Sequence, residues 1–169
     1  MKSLFFFFIS LLFFSFSFSS TNTTTYNLFH IGRSRDANII KYDINLNANG
    51  TINQEKPLKI YWVKYNQDSK IEGLSFIQEK LAYGIDYLSI QKQEVKFQFV
   101  SYDKRSFVIK KNNLDKYRVF SEYKSKQVEV EDIFVQIDGG TFMIPQISFV
   151  KMHWKDAASE KEGDEYIKP

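Results

Sequence analysis

From Ile40 onward the chain alternates: Tyr42, Ile44 and Leu46 are apolar, and Lys41, Asp43 and Asn45 between them are polar. A period of two is the signature of a strand with one buried face. It recurs along most of the chain. In PLKIYWVKY, Leu58, Ile60 and Trp62 share one face and Lys59, Tyr61 and Val63 the other, with Pro57 at the start where no ladder donor is needed. In EVKFQFV, Val95, Phe97 and Phe99 alternate with Lys96 and Gln98, and SFVIKK, YRVFSEY and VEVEDIFVQID follow. NANG (47–50) breaks the chain between strands, and Asp138-Gly139-Gly140 reads as a hairpin turn before a last strand over 141–154. Pro145 makes that strand an edge or a bulge. One helix interrupts the pattern at about 74–83, where Leu74, Ile77 and Leu81 form a helical stripe and Gly84 offers a stop. The expectation is a mainly β fold: an antiparallel barrel or sandwich of seven to eight strands with one short α-helix.

The first twenty residues stand apart. MKSLFFFFISLLFFSFSFSS has a basic start, an apolar run from Leu4 to Phe18 and a small-residue end, which is the pattern of a signal peptide. The sequence therefore divides into a signal peptide (1–20), a flexible lead-in (21–26), a single β domain (27–154) and a charged flexible tail (155–169). Export places the protein in the periplasm or outside the cell, with no membrane attachment after cleavage. With no cysteine there are no disulfides, thiol nucleophiles or Cys-zinc sites, and burial alone must hold one core together. The net charge of +3 falls to +2 once Lys2 leaves with the leader, and short basic runs such as KKNN lie beside acids. That is no nucleic-acid signature.

Chemistry-bearing motifs are few. NLNANGTINQE places Asn45, Asn47, Asn49 and Gly50 as in a calcium loop, but the twelfth position is Lys56 and the amides carry no charge, so the stretch reads as a turn. His30 and His153 are the two histidines, and neither has an acid two residues away on its own strand. No G-x-S-x-G elbow or phosphate-cradling loop is present. Asp86, Asp103, Glu122 and Asp132 sit beside polar or turn residues and read as solvated acids. No catalytic residue, metal ligand or cofactor is assigned. The tyrosines, among them Tyr61, Tyr83, Tyr87 and Tyr117, suit half-buried sheet positions.

The segments LFHIGRSRDANIIKYDINLNANGTI, PLKIYWVKY, KLAYGI and IFVQIDGG together resemble a family of small exported bacterial domains catalogued as a domain of unknown function, of the DUF4833 type. The resemblance spans about 27–154, implies a single exported domain and carries over no site residues. On that basis Phe29-His30-Ile31 is the first strand, and 33–38 is its turn, with Arg33, Arg35 and Asp36 in place to pair. The expected function is a non-catalytic binding or structural module, monomeric, whose partner is an unknown small molecule or protein. The ligand-facing candidates are His30 and Arg33, positioned to hold an anion, with Trp62 and Tyr83. One alternative is a small barrel carrying an apolar or anionic molecule, which requires a cavity lined by Trp62, Phe97, Phe99 and Trp154. The other is a hydrolase, which requires carboxylates converging in a cleft.

Overall fold

The computed structural model describes residues 24–141 and 144–168; the leader and residues 21–23 lie outside them. Among the described residues eleven strands join in one sheet: β1 (Thr24–Arg33), β2 (Asp36–Leu46), β3 (Leu58–Lys64), β4 (Lys70–Gly73), β5 (Ile85–Ile90), β6 (Val95–Phe99), β7 (Tyr102–Lys111), β8 (Tyr117–Tyr123), β9 (Lys126–Gly140), β10 (Pro145–Lys155) and β11 (Glu162–Ile167). The count exceeds the expected seven to eight because β4, β5 and β11 bury no residue fully, and the inward positions of β11 include a glycine and an acid rather than a run of apolar side chains.

β9 organises the sheet. Its start, Lys126–Glu129, pairs antiparallel with β8, and Ile133–Val135 pairs parallel with β1. β10 pairs with β9 at Glu129 and again at Ile133, Phe134 and Val135. A strand has two edges, so β8 and β1 must share the edge that β10 leaves free. The arms β8-β7-β6-β5 and β1-β2-β3-β4 therefore diverge from one edge of β9 as a fork. The sheet curls into an open half-barrel, between barrel and sandwich.

Aromatic rings fill the space between the arms. Phe29 stacks on Tyr42 at 4.4 Å between centroids, Phe99 meets both edge-on, and Phe97 stacks on Phe107 at 5.4 Å. Such pairs add to the large area each ring buries. The Tyr42 hydroxyl, deep inside, donates to the Tyr83 carbonyl at 2.8 Å, so the buried polar group is satisfied. Trp62, Phe97, Phe99 and Trp154 are all buried in this core.

Four local expectations need correction. The helix, α1, covers only Phe76–Leu81 behind a Ser75–Gln78 capping box. Its stripe is not buried: Ile77 and Leu81 are 46% and 68% exposed, because Gln78 takes the inward position and accepts from Trp62 Nε1. Gly84 is no left-handed stop; a Cβ there would lie 1.7 Å from the Glu79 carbonyl oxygen, so the glycine permits a close backbone approach. β9 runs through the supposed Asp138-Gly139-Gly140 turn, and its pairing with β10 begins at Gly140 opposite Pro145, the first residue of β10.

Both flanks also join the fold. Residues 24–26 of the lead-in belong to β1, and Tyr26 OH accepts from Tyr117 N at 2.8 Å. Within the tail, β11 pairs with β10 from Val150 to Lys155. Gly163 lies against the Trp154 ring, and the Arg105 guanidinium holds Glu165 through two bonds of 2.6 and 2.7 Å.

Candidate functional site

The four ligand-facing candidates divide between two places. Arg33, Trp62 and Tyr83 meet at one end of the half-barrel interior. The Arg33 guanidinium lies 4.5 Å from the Trp62 ring centroid, its Nη1 donates to Tyr83 OH at 3.4 Å, and Tyr83 meets Trp62 edge-on. Arg33 also bonds Asp36 at 2.5 Å across the β1–β2 turn, as the turn residues suggested. Its Nε is buried without a partner. The cluster is closed by its own side chains, with the guanidinium already neutralised. His30 is not part of it. On β1, Phe29 and Ile31 face the core, so His30 points to the outer face.

There His30 joins a groove at the fork. Asn27, Leu28, His30, Arg118, Glu131, Asp132, His153, Lys155 and Glu162 line an open concavity of about 600 Å³. Register explains their convergence. His153 stands opposite Asp132 on β9 and opposite Asp164 on β11. Ile31 pairs with Ile133 in the parallel β1–β9 ladder, so His30 is level with Asp132. A single row Asp164–His153–Asp132–His30 thus crosses four strands on one face.

A β-bulge adds Glu131. The β9–β10 register steps from His153↔Asp132 to Trp154↔Val130, leaving Glu131 without an opposite residue. Bulges of this kind re-aim side chains, and here both Glu131 and Asp132 reach the groove. The sequence carries a trace of it: inward Val128 and Val130 are followed by Ile133, a spacing of three where alternation requires two.

The charges are unevenly committed. Arg118 Nε pairs with Glu129 at 2.8 Å, Lys155 with Glu160, and His153 Nδ1 with Asp164 Oδ1 at 2.9 Å. The hydrogen bond from His153, then the charge of Lys151, holds the Asp164 carboxyl below its ordinary range. Among the described residues, Glu131, Asp132 and Glu162 have no ion-pair partner. Withdrawal from water raises the Glu131 carboxyl above its usual value, and the nearby charge of Glu129 adds to the effect.

The groove does not form a metal centre: among the described residues no three His, Asp or Glu side chains stand together as ligands. The calcium-like loop is a turn, where Asn45 Nδ2 donates to the Lys56 carbonyl and Asn49 Oδ1 accepts from Thr51. Among the described residues no helix is long and apolar enough to cross a membrane.

Fold and groove define a curled, all-in-one-sheet β domain with a charged outer cleft. The chain belongs to the family described as Domain of unknown function (DUF4833), whose model matches residues 29–165. The match extends beyond the expected domain end at 154 and takes in most of β11, which agrees with the pairing of that strand. No curated protein and no solved structure matches the chain.

Proposed function

We propose that this protein is an exported, non-catalytic binding module that meets its partner on the outer groove at the fork rather than inside the half-barrel. One observation carries the reading: the rings a carrier would need around a cavity are engaged by other rings, Phe97 and Phe99 by each other and by Phe107, Trp62 by Tyr83 and Trp154 by Tyr123, while the groove leaves charged groups uncommitted. Export rests on the leader-like first twenty residues. N-terminal sequencing of the protein from its own host is expected to begin near residue 21, and an intact Met1 would refute export with cleavage. Native mass spectrometry of that material, before and after unfolding, tests the filled interior. The expected result is the bare polypeptide mass. A stoichiometric small-molecule excess lost only on unfolding would overturn the reading in favour of the carrier.

A hydrolase is the second reading, favoured by the Asp164-oriented His153 beside Glu131 and Asp132 in one cleft. Chromogenic esters and phosphodiesters test it. Turnover by the wild type that His153→Gln abolishes would establish it, and equal background rates from both proteins would remove it.

A further inference from the structure

We propose that β5 joins two copies of this chain, antiparallel and edge to edge, around a two-fold axis at Tyr87 or Leu88. The contact is independent of the groove, and it replaces the expected monomer with a dimer. The first argument is which edge stands open. Among the described residues three strands end the sheet: β4, β5 and β11. Terminal strands pair readily with another chain unless charge, proline or shortness blunts them. β4 has four residues and carries Lys70 and Glu72, and β11 carries Glu162, Asp164 and Glu165. β5 has six residues with no Lys, Arg or Pro, and Asp86 is its one charge.

Exposure shows the space beside this strand. Ile85, Tyr87 and Ile90 stand opposite Phe99, Phe97 and Val95 of β6 and share their inward face. The three β6 residues are buried, yet Tyr87 is 38% exposed and both isoleucines are half-buried. Solvent therefore reaches β5 from the side away from β6. A bulge leaves Leu88 without an opposite residue and 50% exposed. β4, at the far end of the sheet path, is exposed at all four residues, so it does not cover this edge.

Symmetry and charge name the occupant. A two-fold axis through an antiparallel pair sets one residue opposite itself in the second copy. Centring on Asp86 would face two carboxylates, which is unfavourable. Centring on Tyr87 or Leu88 carries Lys92 of each copy opposite Ala82 or Gly84 of the other. Glu79 waits there, because its backbone lies against Gly84. Lys92 and Glu79 are both exposed, and among the described residues neither has an ion-pair partner. The two-fold axis forms the Lys92–Glu79 pair twice. The same contact shields Leu88 and exposed Leu81 at the end of α1. A strand from an unrelated protein could fill the edge, but nothing would set a lysine at that position.

The test is sedimentation velocity of the protein purified from its own host, from about 1 µM to about 100 µM, the span of ordinary reversible association. Leu88→Lys charges the edge, and Leu114→Lys in the exposed β7–β8 turn is the control. Lys92→Glu sets like charges across the axis, and Lys92→Glu/Glu79→Lys restores opposite ones. The proposal expects a wild-type dimer that Leu88→Lys and Lys92→Glu each weaken at least about tenfold. The charge swap should recover it, and Leu114→Lys should leave it unchanged. Hydrogen exchange over 85–90 should slow as concentration rises, with β4 and β11 unaffected. A monomer throughout, a dimer that Leu88→Lys leaves intact, or a Lys92→Glu loss that the swap does not recover would each overturn the proposal. So would equal weakening by Leu114→Lys, or slowing at β4 or β11 in place of β5. A monomer whose β5 amides slow only in host extract would assign the edge to another protein and overturn the second copy.

Discussion

Glu165→Leu isolates the contact that ties the tail strand to the body of the fold. Arg105 on β7 and Glu165 on β11 form a two-bond pair, and each side chain is 17% exposed. Glu165 holds the Arg105 guanidinium above its ordinary pKa, outweighing the burial that opposes it. Removing one partner of a fully buried pair costs about 3–5 kcal/mol, because the other charge is stranded. The remaining solvent contact lowers this to roughly 2–3 kcal/mol, between the buried and exposed limits. Urea unfolding of Glu165→Leu should show that loss. If β11 opens locally, its amides should exchange about 30- to 150-fold faster, at tenfold per 1.36 kcal/mol. The double variant Arg105→Met/Glu165→Leu should recover to within about 1 kcal/mol of wild type, since apolar replacements of a buried pair are often neutral. A single variant losing less than about 0.5 kcal/mol, the scale of ordinary surface changes, would refute the reasoning. So would wild-type β11 amides that already exchange at unprotected rates.

Other perturbations probe the interior. Phe99→Ala removes a ring that meets Phe29, Tyr42, Phe97 and Phe107, and should cost about 3–5 kcal/mol in urea unfolding. Tyr42→Phe leaves the Tyr83 carbonyl without its donor, for a loss of about 1–3 kcal/mol on the same assay. Gly84→Ala must displace the Glu79 carbonyl and should destabilise by roughly 1–3 kcal/mol, with faster exchange in α1 and β5. Alkali should also unfold the protein. Burial pushes Tyr61 up to about 12, helped by its bond to Asp43, and holds Tyr42 well above its usual value. Above pH ~10 the unfolded chain releases protons that the folded protein keeps, so stability falls as pH rises from about 10 to about 12. Urea midpoints across that range should drop, and a flat profile would contradict the tyrosine environments.

What the sequence made legible follows from which residues alternate. β2, β3 and β6 bury one face with apolar side chains, so their period of two is plain. β11 is hidden because its inward residues include Gly163 and Glu165, opposite Trp154 and Met152, and an inward acid reads as a solvated tail. The helical stripe misleads for the reverse reason: a polar Gln78 bonds Trp62 while the apolar side chains face water. Arg33, Trp62 and Tyr83 do come together, although packed against one another with the guanidinium paired to Asp36 and its Nε left without a partner. The groove was out of reach because its histidines lie 123 positions apart, in strands β1 and β10 that flank β9. Only pairing shows that Asp132 lies between them. The slipped alternation at Glu131 was the one local sign, and it marks a bulge without revealing what the bulge faces.

The groove is tested most directly by site-specific photo-crosslinking of the full chain in its own host. The photoreactive residue is placed at His30 in the groove, leaving the three unpaired acids in place, or at exposed Lys104 on β7 as control. The account predicts a discrete adduct from the groove position, none from Lys104, and loss of the adduct when Glu131→Gln/Asp132→Asn is added. Equal adducts from both positions, or an adduct indifferent to the groove substitutions, would contradict it.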